Sequence, residues 1–254
     1  METQRFPCPT LRQGRNALIS GVGCGAASKA PDTERNDKPG ETIMALDRID
    51  HLAFITPDLT GTIRFYRDLL GMNLSLGIGH DGFRHYFFTA GDNYIAFFAY
   101  DGASAMTKKF HGNRTSDPIG FDHVAFTVET REEFFEWKDR LQAAGIEVTG
   151  PIDHGVFWSL YFFDNNNIPL EIAWNLMEVA EAPAVVDDDI PAIVHEGSGP
   201  QPGHWPEITQ RTAPADMKPA KAGNAYALRK ELLASGRGRL TAAGRVALDQ
   251  VGED

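Results

Sequence analysis

Asp50-His51-Leu52-Ala53-Phe54 returns as Asp122-His123-Val124-Ala125-Phe126, 72 residues further on counted from position 51 to position 123. Each copy sets a histidine in an apolar run that alternates like a β-strand, where a buried polar ring needs a partner. A third run, Ile168-Pro169-Leu170-Glu171-Ile172-Ala173-Trp174, carries a carboxylate in the same manner. Side chains alternate faces along a strand. His51 therefore shares its face with Ala53 and Ile55, His123 with Ala125 and Thr127, and Glu171 with Pro169 and Ala173. Small neighbours leave room beside each polar group. Two histidines and one acid make a three-point ligand set with open positions for a metal. Either histidine alone reads equally well as a core residue bonded to a backbone carbonyl, and the trio as a hydrogen-bonded Glu–His cluster. The shared phase of the two copies favours the metal, which keeps a buried carboxylate ionised where burial alone would neutralise it.

Outward from these runs, the order of elements repeats. Ile49 to Thr56 reads as a strand, Pro57 to Thr60 as a turn with Thr60 as helix N-cap, and Ile63, Tyr66, Leu69 and Leu70 as a helical stripe that stops at Gly71. Strands follow over 73–77, 83–89 and 94–100. After a polar linker over 101–118, a strand over 121–128 and a helix over 131–144 precede strands over 146–148, 157–163 and 168–174. The expected fold is α+β: two paired βαβββ modules, 49–101 and 119–175, in a domain over 44–176, their curled mixed sheet enclosing a metal cleft. Residues 1–43 lack periodicity and read as a disordered extension, with Met44 an alternative start to Met1. Residues 177–254, rich in proline and with an Asp187-Asp188-Asp189 run, read as an extended arm with one short helix over 225–234.

Composition narrows the function. A formal net charge of −11 argues against nucleic-acid binding, which needs clustered Lys and Arg. Only two cysteines, Cys8 and Cys24, occur, which argues against a disulfide framework and for a reducing, cytoplasmic setting. No apolar run approaches the roughly 18 to 20 residues of a membrane span. Ala17 to Ala27 makes a poor signal-peptide core, cut by Gly21, Gly23 and Gly25.

Residues Ile49 to Asn175 resemble the vicinal oxygen chelate superfamily of glyoxalases, extradiol ring-cleaving dioxygenases, fosfomycin-resistance enzymes and bleomycin-binding proteins. The resemblance rests on the two Asp-His runs, on Phe65-Tyr66-Arg67-Asp68-Leu69-Leu70-Gly71-Met72 and on the Asp164-to-Glu171 hairpin. It implies a divalent metal on His51, His123 and Glu171. It also implies a small-molecule substrate that chelates through vicinal oxygens, and a homodimer is compatible with it. Members that isomerise substrates or add thiols usually take a further ligand from the last strand of the first module, where this sequence aligns Ala96 with Glu171. Alanine cannot ligate. The remaining triad suits Fe(II) with O₂, so the expected activity is extradiol-type ring cleavage of a catechol-like substrate.

Two further positions resemble the extradiol pattern. His154 falls where that family places a histidine facing substrate, and Tyr161 where it places a tyrosine that hydrogen-bonds the phenolate. Read from the residues alone, they are a loop histidine and an aromatic at a strand rim. One position departs: Asn93 stands where those enzymes carry an acid–base histidine, and an amide can orient O₂ or a substrate hydroxyl but cannot exchange a proton near neutral pH. Either His85 or His154 then takes that role, or the reaction is different. The alternatives are a glyoxalase-like lyase, isomerase or thiol transferase using Mn(II), Ni(II) or Zn(II), or a non-catalytic, drug-sequestering binder.

Overall fold

The computed structural model describes residues 46, 48–80, 82–116, 121–201, 203–220 and 223–251. The expected extension over 1–43, Met44 and both cysteines lie outside them. The architecture is α+β, built on two four-stranded mixed sheets of one topology. In the first, β1 (His51–Thr56) pairs in parallel with β4 (Asn93–Ala99), which continues antiparallel to β3 (Phe83–Ala90) and β2 (Asn73–His80). In the second, β5 (Val124–Val128) pairs in parallel with β8 (Pro169–Asn175), then β7 (Phe157–Phe163) and β6 (Thr149–Asp153). Both histidine-bearing strands are thus sheet edges.

Each module places its helix between its first two strands. The first helix, α1 (Leu59–Ile63), runs on into a π-helical turn, Arg64–Leu69. Its N-cap is Asp58, which accepts from the Gly61 N–H at 2.9 Å, and not the expected Thr60. The carboxylate two residues earlier reaches the free amide first. The second helix, α2 (Arg131–Ala143), opens on a capping box between Thr130 and Glu133. Phe134 and Leu141 on α2 are fully buried, while Phe135 is exposed.

One core joins the modules. Tyr66, Phe88, Phe97, Phe134, Leu160 and Phe162 lie within it, and Phe65 stacks on Phe162 across the two modules at 6.5 Å. Beneath this contact the end of β1 is tied to the β7–β8 turn: Thr56 Oγ1 donates to Asn166 Oδ1 at 2.8 Å, and Tyr66 OH to Asp164 Oδ2 at 3.1 Å. The apolar side chains Leu52 and Phe54 of β1, and Val124 and Phe126 of β5, turn toward this core. The opposite faces, with Ala53 and Ile55 on one sheet and Ala125 and Thr127 on the other, are open to solvent.

The expected strand over 146–148 lies instead at β6, where register shifts between Thr149 and Ile152. Gly150 sits in this irregularity at φ +111°, and an added Cβ would lie 2.5 Å from the Ser159 carbonyl oxygen. Gly150→Ala combines left-handed strain with a backbone clash and should cost at least about 1–3 kcal/mol. A chemical-denaturation midpoint unchanged from wild type would refute this.

Beyond Asn175 the chain carries two short 3₁₀ turns and two helices, α3 (Tyr226–Ala234), close to the expected span, and α4 (Ala242–Val251), which the sequence reading missed. Trp205, Val186 and Ile193 of this arm are exposed. Among the described residues no helix is long and apolar enough to cross a membrane.

Candidate metal centre

The register of the two sheets puts the repeat on a residue-by-residue footing. Ala53 pairs with Ala96 across β1 and β4, and Ala125 with Glu171 across β5 and β8. Ala96 is therefore the counterpart of Glu171, as the sequence alignment has it. In the same way Phe87 opposes Ala96 where Tyr161 opposes Glu171, and His85 opposes Phe98 where Ser159 opposes Ala173. Two sheets of one design carry different chemistry on the same face: aromatic in the first module, polar in the second.

On the second sheet the polar groups converge. His123 Nε2 lies 2.7 Å from Glu171 Oε2. Glu171 is 3% exposed, and its other oxygen accepts from the Ser159 hydroxyl. Asp122 Oδ1 lies 2.7 Å from His123 Nδ1, which turns Nε2 toward Glu171. The Asp122 carboxyl is held well below its ordinary range by the Lys109 ammonium, at 2.6 Å, and then by His123. His154 Nε2 lies 3.1 Å from the Tyr161 hydroxyl. Burial raises the Tyr161 phenol above its ordinary pKa, and the neighbouring Glu171 adds to this against an opposing Ser159 hydrogen bond. His154, Tyr161, His123 and Glu171 are thus one cluster.

The sequence reading missed two members of it. Ser159 is a buried strand residue whose hydroxyl donates to Glu171. His111, in the intermodule linker, lies flat on the Tyr161 ring with centroids 3.3 Å apart and planes at 7°, and edge-on to His123 at 6.3 Å. Only the tertiary path of the linker places it there.

His51 stands apart. Its Nδ1 has the same kind of partner as His123, Asp50 Oδ1 at 2.8 Å, and its ring sits edge-on to Phe87 at 5.9 Å. Among the described residues, no three His, Cys, Asp or Glu side chains gather as a metal-holding group. The expected convergence of His51 with His123 and Glu171 is therefore not found. β1 and β5 are edges of separate sheets, so no backbone ladder sets the distance between their histidines. Nor are the two rings buried as expected: their side chains are 44% and 30% exposed, because the faces they occupy are uncovered.

His85 and Asn93 also lie outside the cluster. His85 stacks on Phe98 at 3.6 Å and belongs to the aromatic face of the first sheet. Burial, and then the proximity of His51, lowers its pKa. Asn93 alternates with Tyr94 and Ala96 and so takes the face of Ile95 and Phe97. It lines a cavity of about 500 Å³ with Leu70, Met72 and Trp137.

The donor set fits a divalent cation in kind. Imidazole and carboxylate suit such ions, two of the three donors are in contact, and each histidine is backed by an orienting carboxylate. A buried carboxylate set among an imidazole and neighbouring hydroxyls is also the kind of group a cation relieves.

No curated protein matches the sequence. The chain is similar in structure to a glyoxylase/bleomycin resistance protein/dioxygenase domain from Frankia sp. EAN1pec, at 24% identity over 52% of this chain and 100% of that one, with a TM-score of 0.45. It is similar to the fosfomycin resistance protein FosX from Listeria monocytogenes, at 21% identity over 52% and 97% of the chains and a TM-score of 0.41. A mutant of that protein, complexed with Mn(II) and 1S,2S-dihydroxypropylphosphonic acid, matches at 21% identity over 50% and 92%, with a TM-score of 0.41. Residues 48–172 match the sequence profile of one family, and through them the chain belongs to the glyoxalase/bleomycin resistance protein/dioxygenase superfamily.

Proposed function

We propose that the domain binds a divalent cation, Fe(II) foremost, through His123, Glu171 and His51, and cleaves a catechol-like ring beside its vicinal hydroxyls with O₂. The observation that carries this reading is the His123–Glu171 pair, 2.7 Å apart and braced on both sides. The cation, when bound, supplies a Lewis acid and a template for the two substrate oxygens. His51, the third donor, lies on the edge strand of the first sheet with its ring oriented by Asp50. Phe54 of β1 already touches Phe121, which leads into β5, at 5.6 Å. The absence of a fourth protein ligand, with Ala96 opposite Ala53, leaves positions for substrate and O₂.

The remaining roles belong to the chain's own groups. Tyr161 presents its hydroxyl beside Glu171 and steadies the substrate phenolate. His154, bonded to that hydroxyl at 3.1 Å, gives and takes the proton, a task the Asn93 amide cannot perform. Phe87, His85 and Phe98 offer an aromatic wall, His85 stacked on Phe98 and tilted to Phe87, that excludes water from a planar ring.

Anaerobic loading with Fe(II), followed by oxygen uptake across a panel of catechols, tests the proposal. Uptake with at least one catechol, lost in His123→Ala, is the expected result. Turnover of a hemithioacetal or an epoxide with Mn(II), Ni(II) or Zn(II), and no oxygen uptake, would replace it with lyase, isomerase or transferase chemistry. Failure to retain any metal would leave a small-molecule binder.

A further inference from the structure

We propose that His111 is a positioning residue of this site: it clamps the Tyr161 ring from the intermodule linker and so fixes the direction of the Tyr161 hydroxyl. The proposal rests on the reading of His123 and Glu171 as ligands. Tyr161 sits on β7 directly opposite Glu171, and because a phenolic O–H lies in the plane of its ring, the tilt of the ring sets where that O–H points. The imidazole lies parallel to that ring at 3.3 Å, leaving no room on that face for it to turn. His154 holds the hydroxyl at the far end. A ring gripped at its face and at its tip has one orientation.

The linker is built to hold the imidazole there. Upstream, the Met106 N–H donates to Asn166 O at 2.9 Å, and Asn167 Nδ2 donates to Met106 O at 2.8 Å. Immediately before His111, Phe110 packs edge-on against Phe163 at 5.4 Å. Immediately after it, the Gly112 N–H donates to both oxygens of Asp122, at 3.1 and 3.2 Å. Asp122 is the carboxylate that orients His123. One side chain therefore anchors the clamp and the ligand together, so the Tyr161 hydroxyl and the His123 ring are set from a common point.

The test replaces Tyr161 with 3,5-difluorotyrosine in the full-length protein and follows its ¹⁹F spectrum at acidic pH, where the phenol is neutral. A clamped ring keeps its two fluorines inequivalent and gives two resonances, whereas a freely flipping ring gives one. Two resonances are expected in the otherwise unaltered chain, one in His111→Ala, and two again in His111→Phe, which restores a flat ring. One resonance with His111 present, or two in His111→Ala, overturns the clamp.

A second readout separates positioning from packing. His111→Ala should bind Zn(II) within about twofold of wild type, yet the Fe(II)-loaded variant should bind 4-nitrocatechol about tenfold more weakly, as loss of an orienting partner does. His111→Phe should recover that affinity. An unchanged affinity alongside a collapsed fluorine pattern also overturns the proposal, since the stack then serves packing alone. If Fe(II)-loaded wild type does not bind 4-nitrocatechol at all, the ring-cleavage reading falls, and the fluorine pattern still decides the role of His111.

Discussion

If the proposed cation site is correct, a divalent cation should stabilise the wild-type protein against heat, and Glu171→Ala is expected to abolish that stabilisation. A ligand at a thousand times its dissociation constant stabilises a fold by about 4 kcal/mol. Glu171 is the one anionic donor of the set and is 3% exposed, so no water-filled path lets another carboxylate take its place. Without it the second sheet offers His123 alone, and affinity for Fe(II) or Mn(II) should fall by at least about 100-fold, the upper end of what losing even an orienting partner costs. The metal-free variant should behave differently. Removing a buried carboxylate spares its desolvation, at the expense of its bonds to Ser159 and His123, so its melting temperature should stay close to that of metal-free wild type. Differential scanning fluorimetry with and without metal measures both quantities. A cation-induced shift as large in Glu171→Ala as in wild type would remove Glu171 from the site.

The repeat carried most of what was legible. A strand pattern with histidine at one phase twice, and a glutamate in the last strand, was enough to place His123 beside Glu171 and to align Ala96 with Glu171, because strand alternation and repeat spacing are local properties. Asn93 stands where the resemblance puts an acid–base histidine, and strand alternation sets it on the opposite face from Ala96. The position of His51 was not legible, since nothing local fixes the gap between two edge strands. His111 was invisible for a related reason: its neighbours Phe110 and Gly112 are held by Phe163 and Asp122, contacts that only the folded linker creates. The change of N-cap from Thr60 to Asp58 and the displacement of β6 are boundary errors of the kind that side-chain competition and a bulge produce.

Asp164→Ala should be among the most damaging single changes outside the proposed metal-binding cluster. Asp164 Oδ1 accepts from the N–H groups of Asn166 and Ile168 at 2.7 and 2.8 Å, and Oδ2 accepts from Tyr66 OH and Asn166 Nδ2 at 3.1 and 3.2 Å. Alanine leaves these buried donors without their acceptor. Each such loss costs about 1–3 kcal/mol, and because the donors share one site the sum should be less than additive, about 3–5 kcal/mol. The damage would spread, since Asn166 also accepts from Thr56 at the end of β1 and donates to Thr62 in α1, which together fasten the first module to the second. Tyr66→Phe removes one of the four donors and keeps the ring, so it should cost only about 1 kcal/mol. Burial pushes the Asp164 carboxyl above its ordinary pKa, against the pull of its hydrogen bonds. The folded state therefore takes the protonated group more readily than the unfolded chain does. The stability linked to this protonation is complete below the ordinary carboxylate pKa and fades as pH rises through the raised value. Urea midpoints of wild type and Asp164→Ala across that range should accordingly converge as pH increases, and a gap that widens instead would show that the carboxylate is held ionised by its donors.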